Sequence, residues 1–265
     1  MTAAAAVSAV TWIDRARGLL DEIESTQADA IEGASGWCAE AIAAGGLVHL
    51  FGTGHSRIPA EEMFPRYGSY PGFNPIVELS MTFHTQVVGA NGQRQSMFIE
   101  RMPGLAETIL ENFTFGPSDV MIVFSASGLS AVPIEMALGA KERGLAVVAV
   151  TSVAQSHAGD PTHPAGRLLD VADVVLDLGT PPADALVEID GLETPVAPGS
   201  TLAAVALVNE IKAQTARRLV ERGAMPPVIT SAAVVGREAS TKLFDEAYAE
   251  HARRYARSLR GVGAD

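Results

Sequence analysis

Two short stretches of the sequence combine glycine with small hydroxyl residues. They are Gly52-Thr53-Gly54-His55-Ser56 and Ser125-Ala126-Ser127-Gly128-Leu129-Ser130. Glycine allows close backbone approach to a ligand, and hydroxyl groups and free amides donate hydrogen bonds to phosphate oxygens. Each stretch follows an apolar run and precedes a helical pattern, so its amides face outwards at the start of a helix. Thr151-Ser152 adds two hydroxyls after the next apolar run. Together they predict a phosphate site, whereas either stretch alone is more typical of a helix cap or of glycines that pack a helix against a strand.

Four side chains near these stretches are candidates for moving a proton. Glu61 and Glu62 lie one turn into the helix predicted after the first stretch. Because adjacent helical side chains diverge by about 100°, only one of them can face the same crevice, and we favour Glu62. Glu78 is a further candidate at the end of the second predicted strand, and His55 is a candidate for contacting the ligand or shuttling a proton. For each acid the alternative is a solvated surface residue.

The elements that would position these residues alternate between strands and helices. Apolar runs predict strands at Leu47–Phe51, Asn74–Val77, Asp119–Phe124, Ala146–Val150 and Val171–Leu176. Helical spacing predicts helices at Thr11–Ala44 (one or two), Ile58–Tyr67, Leu105–Phe113, Val132–Arg143, Ser200–Arg222 and Glu238–Leu259. This order predicts an α/β protein with a mostly parallel sheet covered on both faces. Both stretches then lie at the carboxyl edge of the sheet, where open α/β sheets bind ligands.

One part of the chain has no clean period. Residues 78–101 mix apolar side chains such as Met81 and Phe98 with glycines and polar residues. We expect this segment, which includes His84, to lie over the site or against a partner subunit.

Composition excludes several classes of function. The 265 residues carry a formal net charge of −12, and this acidic field repels nucleic acid. It also repels phosphates, so a phosphate site must be made locally from amides and hydroxyls. The single cysteine, Cys38, fits a reducing compartment, and no long apolar stretch or signal peptide is evident, so we expect a cytoplasmic protein without a membrane partner. His157 and His163 lack a matching ligand spacing, and no metal is predicted.

A dinucleotide site is the competing interpretation of the first stretch. Arg57 stands where the third glycine of a Rossmann fingerprint would be, and it would obstruct close packing of the helix on the strand. Glu78 does follow the second strand, where an acid could meet a ribose. No Gly-Lys-Ser/Thr sequence follows the turn, so a Walker A site is absent as well. The mismatch at Arg57 outweighs the match at Glu78, and a dinucleotide-dependent oxidoreductase is the least favoured function.

The chain also resembles a known family. The segments GTGHS, PAEEMFPRYG, NPIVE, DVMIVFSASGLSAVPIEMALGAKERG and AVVAVTS are similar to those of the SIS (sugar isomerase) domain family. Within it, the chain resembles a bacterial branch akin to phosphoheptose isomerases and to an N-acetylglucosamine-6-phosphate dehydratase. The resemblance covers roughly Leu47 to Arg222. It implies a three-layer fold with a five-stranded parallel sheet of flavodoxin-like order, and homodimers or homotetramers with sites near subunit interfaces.

The resemblance also implies roles for particular residues. The phosphate would be held by Ser125, Ser127, Ser130 and the Gly128 amide, with help from Ser56, Thr151 and Ser152. Gly52, Gly54 and, on the long helix, Asn209 would contact the substrate. Ala126, Leu129 and Arg66-Tyr67 depart from the usual pattern, which leaves the sugar preference open.

The family also bounds the function. We expect a single SIS domain with N-terminal helices at 1–46, a core at 47–222 and a helical tail at 223–265. We expect a cofactor-independent enzyme that acts on a hexose or hexosamine 6-phosphate by carboxylate-mediated proton abstraction, as an isomerase, dehydratase or deaminase. The alternative is a non-catalytic phosphosugar sensor. A DNA-binding regulator is disfavoured, because Arg15 and Arg17 are the only basic residues before the first strand.

Overall fold

The computed structural model describes residues 11–81 and 92–259. Within these ranges the helices are α1 (Thr11–Thr26), α2 (Ala28–Ala43), α3 (Ile58–Met63), α4 (Gly92–Ile99), α5 (Leu105–Leu110), α6 (Ala131–Glu142), α7 (Val153–Ala158), α8 (Leu168–Val171), α9 (Ser200–Glu221), α10 (Ala232–Val235) and α11 (Arg237–Ser258). The strands are β1 (Val48–Gly52), β2 (Phe73–Ile76), β3 (Val120–Phe124), β4 (Ala146–Thr151), β5 (Val174–Asp177), β6 (Ala185–Val187) and β7 (Val196–Pro198). Short 3-10 turns occupy Gly54–Arg57 and Leu79–Met81.

The central sheet contains five parallel strands in the order β2-β1-β3-β4-β5. This is the flavodoxin-like order, in which the chain changes direction across the sheet between β1 and β3. Strands β1 and β3 are buried along their whole length, as expected for parallel strands covered on both faces. The predicted α/β class and the five-stranded parallel sheet are confirmed.

Side chains on alternate positions of the strands form two separate apolar layers. Leu50 and Ile122 pack in the layer that includes α2 and α9. Phe51 and Met121 point to the opposite layer, which includes α5 and α6. Complete burial of a side chain of this size contributes roughly 1.5–3 kcal/mol, so both layers fix the sheet between the helices.

Several predicted boundaries are wrong, for local reasons. The helix predicted at Ile58–Tyr67 ends at Met63, because Pro65 disfavours helical backbone at the preceding residue, Phe64, whose ψ is 147°. The strand predicted from Val171 begins three residues later, after the helical turn of α8.

A two-stranded antiparallel ribbon, β6–β7, follows β5 and was not predicted. Each of its strands has only three residues, too few to show an alternating pattern. The ribbon leads directly into α9, and its position matters for the site described below.

A buried polar trio lies inside the sheet. His49 on β1 contacts Asp119 through Nε2 at 3.1 Å and Asn74 of β2 through Nδ1 at 3.2 Å. Since an ionised carboxylate only accepts hydrogen bonds, His49 donates from Nε2 and accepts at Nδ1 from the Asn74 amide. Asp119 also accepts from the backbone amides of Leu47 and Gly116 at 2.8 Å each. The hydrogen bonds of this trio therefore join β1, β2 and the residue that precedes β3.

Two further expectations concern the state of Cys38 and the presence of membrane-spanning helices. Cys38 is fully buried, and burial raises the pKa of its thiol to about 12, so it packs as an apolar side chain. Among the helices in the described ranges, none is both long and apolar enough to cross a membrane.

Candidate functional site

The two glycine- and hydroxyl-containing stretches emerge side by side from the sheet. Strands β1 and β3 are hydrogen-bonded neighbours, and Gly52 lies opposite Phe124 at their carboxyl ends. The first turn, 53–57, and the second turn, 125–130, therefore start from adjacent positions on one edge. Thr151 follows on the next strand, because Phe124 lies opposite Val150.

Backbone constraints shape the first turn. A Cβ atom added at Gly52 would lie 2.3 Å from the carbonyl oxygen of Ser56, so only glycine allows the chain to fold back here. Gly54 has a φ of 55°, in the left-handed region that glycine favours. His55 is exposed and Ser56 is half-buried. Within the described residues the Ser56 hydroxyl makes no hydrogen bond.

The second turn presents unpaired donors at the start of a helix. Within the described residues, the amides of Ser127, Leu129 and Ser130 have no protein acceptor, and the Ser127 hydroxyl has no partner. These groups lie just before the 12-residue helix α6, whose dipole favours negative charge at this end. Ser125 Oγ accepts a hydrogen bond from the Gly128 amide at 3.1 Å, which leaves its own proton available.

Thr151 and Ser152 support the second turn from below. Both are fully buried, and their hydroxyls donate to backbone carbonyls: Thr151 to Ala126 at 3.3 Å and Ser152 to Thr180 at 2.7 Å. A Cβ atom at Gly128 would lie 2.9 Å from Thr151 Oγ1, so the turn packs tightly on this hydroxyl. Because a hydroxyl has one proton, neither residue has a donor left for a ligand in this arrangement.

A cavity of about 150 Å³ lies between the two turns and the start of α9. Its polar lining residues are His55, Ser56, Ser125, Asp184, Ser200 and Thr201. Three of these were candidates from the sequence, and the structure brings them together around one space. The other wall comes from Asp184, just before the ribbon, and from the start of α9.

Asp184 is a residue of this cavity that the sequence analysis missed. Its carboxylate accepts from the Ser200 amide at 2.8 Å and from the Ser200 hydroxyl at 2.6 Å, and so caps α9. Its φ of 60° is in the left-handed region, which Asp tolerates better than most residues. Pro-Pro-Ala-Asp is a turn sequence, but the helix that Asp184 caps begins 16 residues later, so the sequence did not indicate this contact.

Glu61 and Glu62 diverge as their helical spacing requires. Glu62 faces α9, where Asn209 Nδ2 lies 3.4 Å from Oε1 and Lys212 donates to the Glu62 carbonyl at 3.0 Å. Its Oε2 atom pairs with Arg66 at 2.7 Å. Glu61 instead pairs with Arg57 at 2.6 Å and lines a groove on the other side, beside Phe64 and Asn74. Neither carboxylate lines the cavity between the turns.

Lys212 is a second cation near the Glu62 carboxylate, after Arg66. It is buried, and its Nζ atom lies 3.9 Å from Glu62 Oε1. Burial lowers the pKa of the Lys212 amine, the Glu62 carboxylate opposes this change, and the Arg66 guanidinium reinforces it, so that the pKa falls overall. Lys212 and Arg66 thus place two positive charges beside the Glu62 carboxylate.

Glu78 serves a local role in this structure. Its Oε2 atom accepts from the Ser80 hydroxyl at 2.5 Å and from the Met81 amide at 3.0 Å, so it caps the 3-10 turn after β2. His84 lies outside the described residues. Among the residues that the structure describes, no cluster of three or more His, Cys, Asp or Glu side chains is arranged to hold a metal ion.

A sequence profile of the SIS domain matches residues 11–152, more than half of the chain. The chain belongs to the SIS domain family. The resemblance inferred from the two turns is thereby confirmed, and the SIS match contains both of them together with Glu61 and Glu62.

The SIS relatives extend over most of the chain. A UPF0309 protein of Geobacillus kaustophilus is 34% identical over 232 residues, which cover 87% of this chain and 90% of the relative. A UPF0309 protein of Streptomyces avermitilis is 33% identical over 228 residues, which cover 85% and 88% of the two chains. A phosphoheptose isomerase from Francisella tularensis has the same fold, with a TM-score of 0.50 and 14% identity over 80% of this chain and 100% of that chain.

Glu100, which the sequence analysis did not identify, joins the first turn to the second turn. Its carboxylate accepts from the Thr53 hydroxyl at 2.8 Å and from the Ser130 hydroxyl at 3.0 Å. Glu100 follows α4 directly, so part of the segment without a clean period does lie at the carboxyl edge. No sequence signal marked it, because Glu100 lies 47 residues from Thr53 and 30 from Ser130.

Proposed function

We propose that this chain is an enzyme that binds a hexose or hexosamine 6-phosphate and removes a proton next to the carbonyl group of the open-chain sugar. The observation that supports this most directly is the set of unpaired amides before α6, beside the free hydroxyls of Ser56 and Ser127. A phosphate dianion offers only acceptors and binds where donors and a helix dipole converge. Membership of the SIS domain family supports the same ligand class.

The contacts suggest how the phosphate-binding roles divide. Ser127, the neighbouring amides and the free proton of Ser125 would donate to phosphate oxygens, with Ser56 reaching across from the first turn. Thr151 and Ser152 would hold the second turn in shape rather than touch the ligand, because their protons are used by backbone carbonyls. This division needs no cofactor and no metal ion.

Glu62 is the proposed base. It would accept the proton from the carbon next to the carbonyl, giving an enediol-like state. In an isomerisation the former carbonyl oxygen takes up a proton, Glu62 returns its proton to the former carbonyl carbon, and the neighbouring hydroxyl loses its proton as it becomes the new carbonyl. In a dehydration a hydroxide departs from the next carbon and takes the proton held by Glu62, so that water is released. Lys212 and Arg66 would hold the Glu62 carboxylate in position by ion pairing, and Asn209 would hold its Oε1 atom. His55, which lines the cavity between the turns, would contact the sugar.

A non-catalytic phosphosugar sensor is the second candidate. The observation that favours it is the position of Glu62, whose carboxylate is paired with Arg66 and does not line the cavity between the turns. A sensor needs only the phosphate contacts, and a base outside the cavity would then be a structural acid.

We also propose that the chain forms a homodimer or homotetramer with its site near the interface. Leu79 is 64% exposed and Phe98 is 68% exposed, and both lie on segments that flank the carboxyl edge near Glu100. Large apolar side chains at such a position are typical of an association surface. Light scattering coupled to size exclusion should give two or four times the mass of the 27.6 kDa chain, and a monomer would contradict the proposal.

Thermal unfolding with a panel of ligands tests the proposed function. A ligand present at a hundred times its Kd stabilises the folded state by about 2.7 kcal/mol, which corresponds to a rise in Tm of roughly 5–10 °C. We expect such a rise with glucosamine 6-phosphate or N-acetylglucosamine 6-phosphate and none with the free sugars or NAD. Mass spectrometry of the incubated ligand separates the reactions: loss of water, loss of ammonia, or isomerisation without a mass change. Stabilisation without any product would support the sensor.

Ser127→Ala is the variant that links this response to the second turn. The Ser127 hydroxyl donates to phosphate in our proposal, so its removal should weaken binding about tenfold, as for a hydrogen bond to a charged group. Ser25→Ala is a matched control, because the Ser25 hydroxyl donates only to the Glu22 carbonyl within α1. Equal binding by both variants would contradict the assignment of the turn.

A further inference from the structure

Glu100 holds two hydroxyl groups that belong to the two turns of the proposed phosphate site. Its Oε1 atom accepts from Ser130 and its Oε2 atom from Thr53. Its backbone carbonyl accepts from the Val132 amide at 2.9 Å, which is one of the first amides of α6. The residue therefore contacts the second turn through both its side chain and its backbone.

Donor counting shows what these contacts exclude. A serine or threonine hydroxyl carries a single proton. The Ser130 proton points to Glu100, and Ser130 accordingly makes no side-chain cap to its own helix. While this bond persists, Ser130 cannot donate to a phosphate oxygen, although it is one of the hydroxyls expected at the phosphate.

The charge of Glu100 leads to the same conclusion. A carboxylate near the start of α6 occupies the end of the helix where the dipole favours an anion. A phosphate bound to the same turn would place two further negative charges next to the carboxylate. The two anions repel each other at such short range, so they do not share the turn without a rearrangement.

We propose that Glu100 occupies part of the phosphate site of the unliganded protein and that a phosphoryl group displaces its carboxylate. Displacement frees the Ser130 hydroxyl to donate to the ligand and releases the Thr53 hydroxyl of the first turn. This inference rests on the proposed function, since it takes the second turn as the phosphate site. It assigns to Glu100 the control of phosphate affinity, a role separate from proton transfer.

Calorimetric titration of glucosamine 6-phosphate and of inorganic phosphate into three variants tests this inference. Glu100→Gln keeps the shape of the side chain but removes the charge. This variant should bind about tenfold tighter than the wild type, because the ligand no longer has to displace a charged hydrogen bond. Thr53→Val removes one of the two bonds that hold the carboxylate and should tighten binding by roughly half that amount on a logarithmic scale. Glu107→Gln is the control, because it removes the same charge from an exposed residue paired with Arg143, and its affinity should equal that of the wild type.

The outcomes separate the two proposals. Binding by the wild type with equal or weaker binding by Glu100→Gln would overturn the role of Glu100 and leave the phosphate site standing. No binding by any variant would overturn both. Binding that is detected only after the Glu100 substitution would support both. If Glu100→Gln does not fold, Thr53→Val decides: unchanged or weaker binding overturns the inference.

Discussion

Glu61 and Glu62 are neighbours in sequence, but their carboxylates serve different parts of the molecule. The angle of about 100° between successive helical side chains turns Glu62 towards α9 and Glu61 towards a groove on the other side. Glu62 is 23% exposed and Glu61 is 53% exposed, so only Glu62 is held on several sides. Substitution of each glutamate by glutamine therefore makes the same chemical change at two side chains that point in different directions.

Glu62→Gln should abolish turnover and preserve binding. A general base typically contributes a factor of about 10² to 10⁴ in rate, while the phosphate contacts do not involve Glu62, so we expect such a loss in kcat at an affinity within about twofold. Glu61→Gln should retain turnover within a few-fold. The measurement is product formation by mass spectrometry, together with binding by calorimetry. Full activity of Glu62→Gln would move the base elsewhere, and Glu78 would be tested next by the same substitution.

The residues of the site divide into those that the sequence could indicate and those it could not. The glycines and serines of the two turns are recognisable because their chemistry is local: each turn needs small residues within six positions. Glu100 and Asp184 act on residues that are distant in the chain, at separations of 47 positions for Thr53 and 16 for Ser200. Nothing in the sequence around an isolated acid indicates such a partner, so both required the fold.

At the scale of elements, the strands were predictable because each is an apolar run that ends at small polar residues. β3 lies within one residue of its predicted bounds, and α9 and α11 do as well. The ribbon β6–β7 was missed, since a three-residue strand with exposed ends buries too little to leave a pattern. This omission concealed one wall of the cavity, because Asp184 lies immediately before β6.

The buried trio of His49, Asp119 and Asn74 links β1, β2 and the start of β3. Burial alone would raise the pKa of the Asp119 carboxyl, but hydrogen bonds from His49 and from the amides of Leu47 and Gly116 outweigh it and lower that pKa overall. A carboxyl whose pKa is lower in the folded than in the unfolded protein stabilises the fold above its unfolded pKa. This contribution disappears as the pH falls through the folded value.

Asp119→Asn should destabilise the protein by about 2–4 kcal/mol at pH 7, because an asparagine has one acceptor oxygen where three donors converge. The difference from the wild type should shrink between pH 7 and pH 3, because pH 3 lies below the ordinary aspartate pKa of about 3.9 and the unfolded chain then binds a proton at this residue. Urea unfolding at both pH values measures this. Asp14→Asn, at an exposed residue of α1 paired with Arg17, should change stability by less than about 0.5 kcal/mol. An Asp119→Asn difference that stays constant with pH would show that the ionised form contributes nothing.

At the scale of the whole molecule, a net charge of −12 surrounds a site that is proposed to bind a dianion. The positive side chains nearest the first turn are already paired, Arg57 with Glu61 and Arg66 with Glu62. If amides and hydroxyls capture the phosphate, as proposed, attraction acts over a short range. Repulsion by the acidic molecule extends over the Debye length, about 30 Å at 0.01 M salt and about 8 Å at 0.15 M. The two effects respond differently to salt.

The association rate constant of a hexosamine 6-phosphate should therefore rise severalfold as sodium chloride is increased from about 0.01 to 0.15 M, because screening removes the long-range repulsion before it affects the short contacts. The dissociation rate should change less over the same range. Stopped-flow measurement of both rates checks this, with sodium acetate as a second salt to separate screening from competition by chloride. A site that depends on unpaired lysine or arginine side chains would show the opposite slope. A falling association rate in both salts would thus indicate that cations, and not the amides before α6, capture the phosphate.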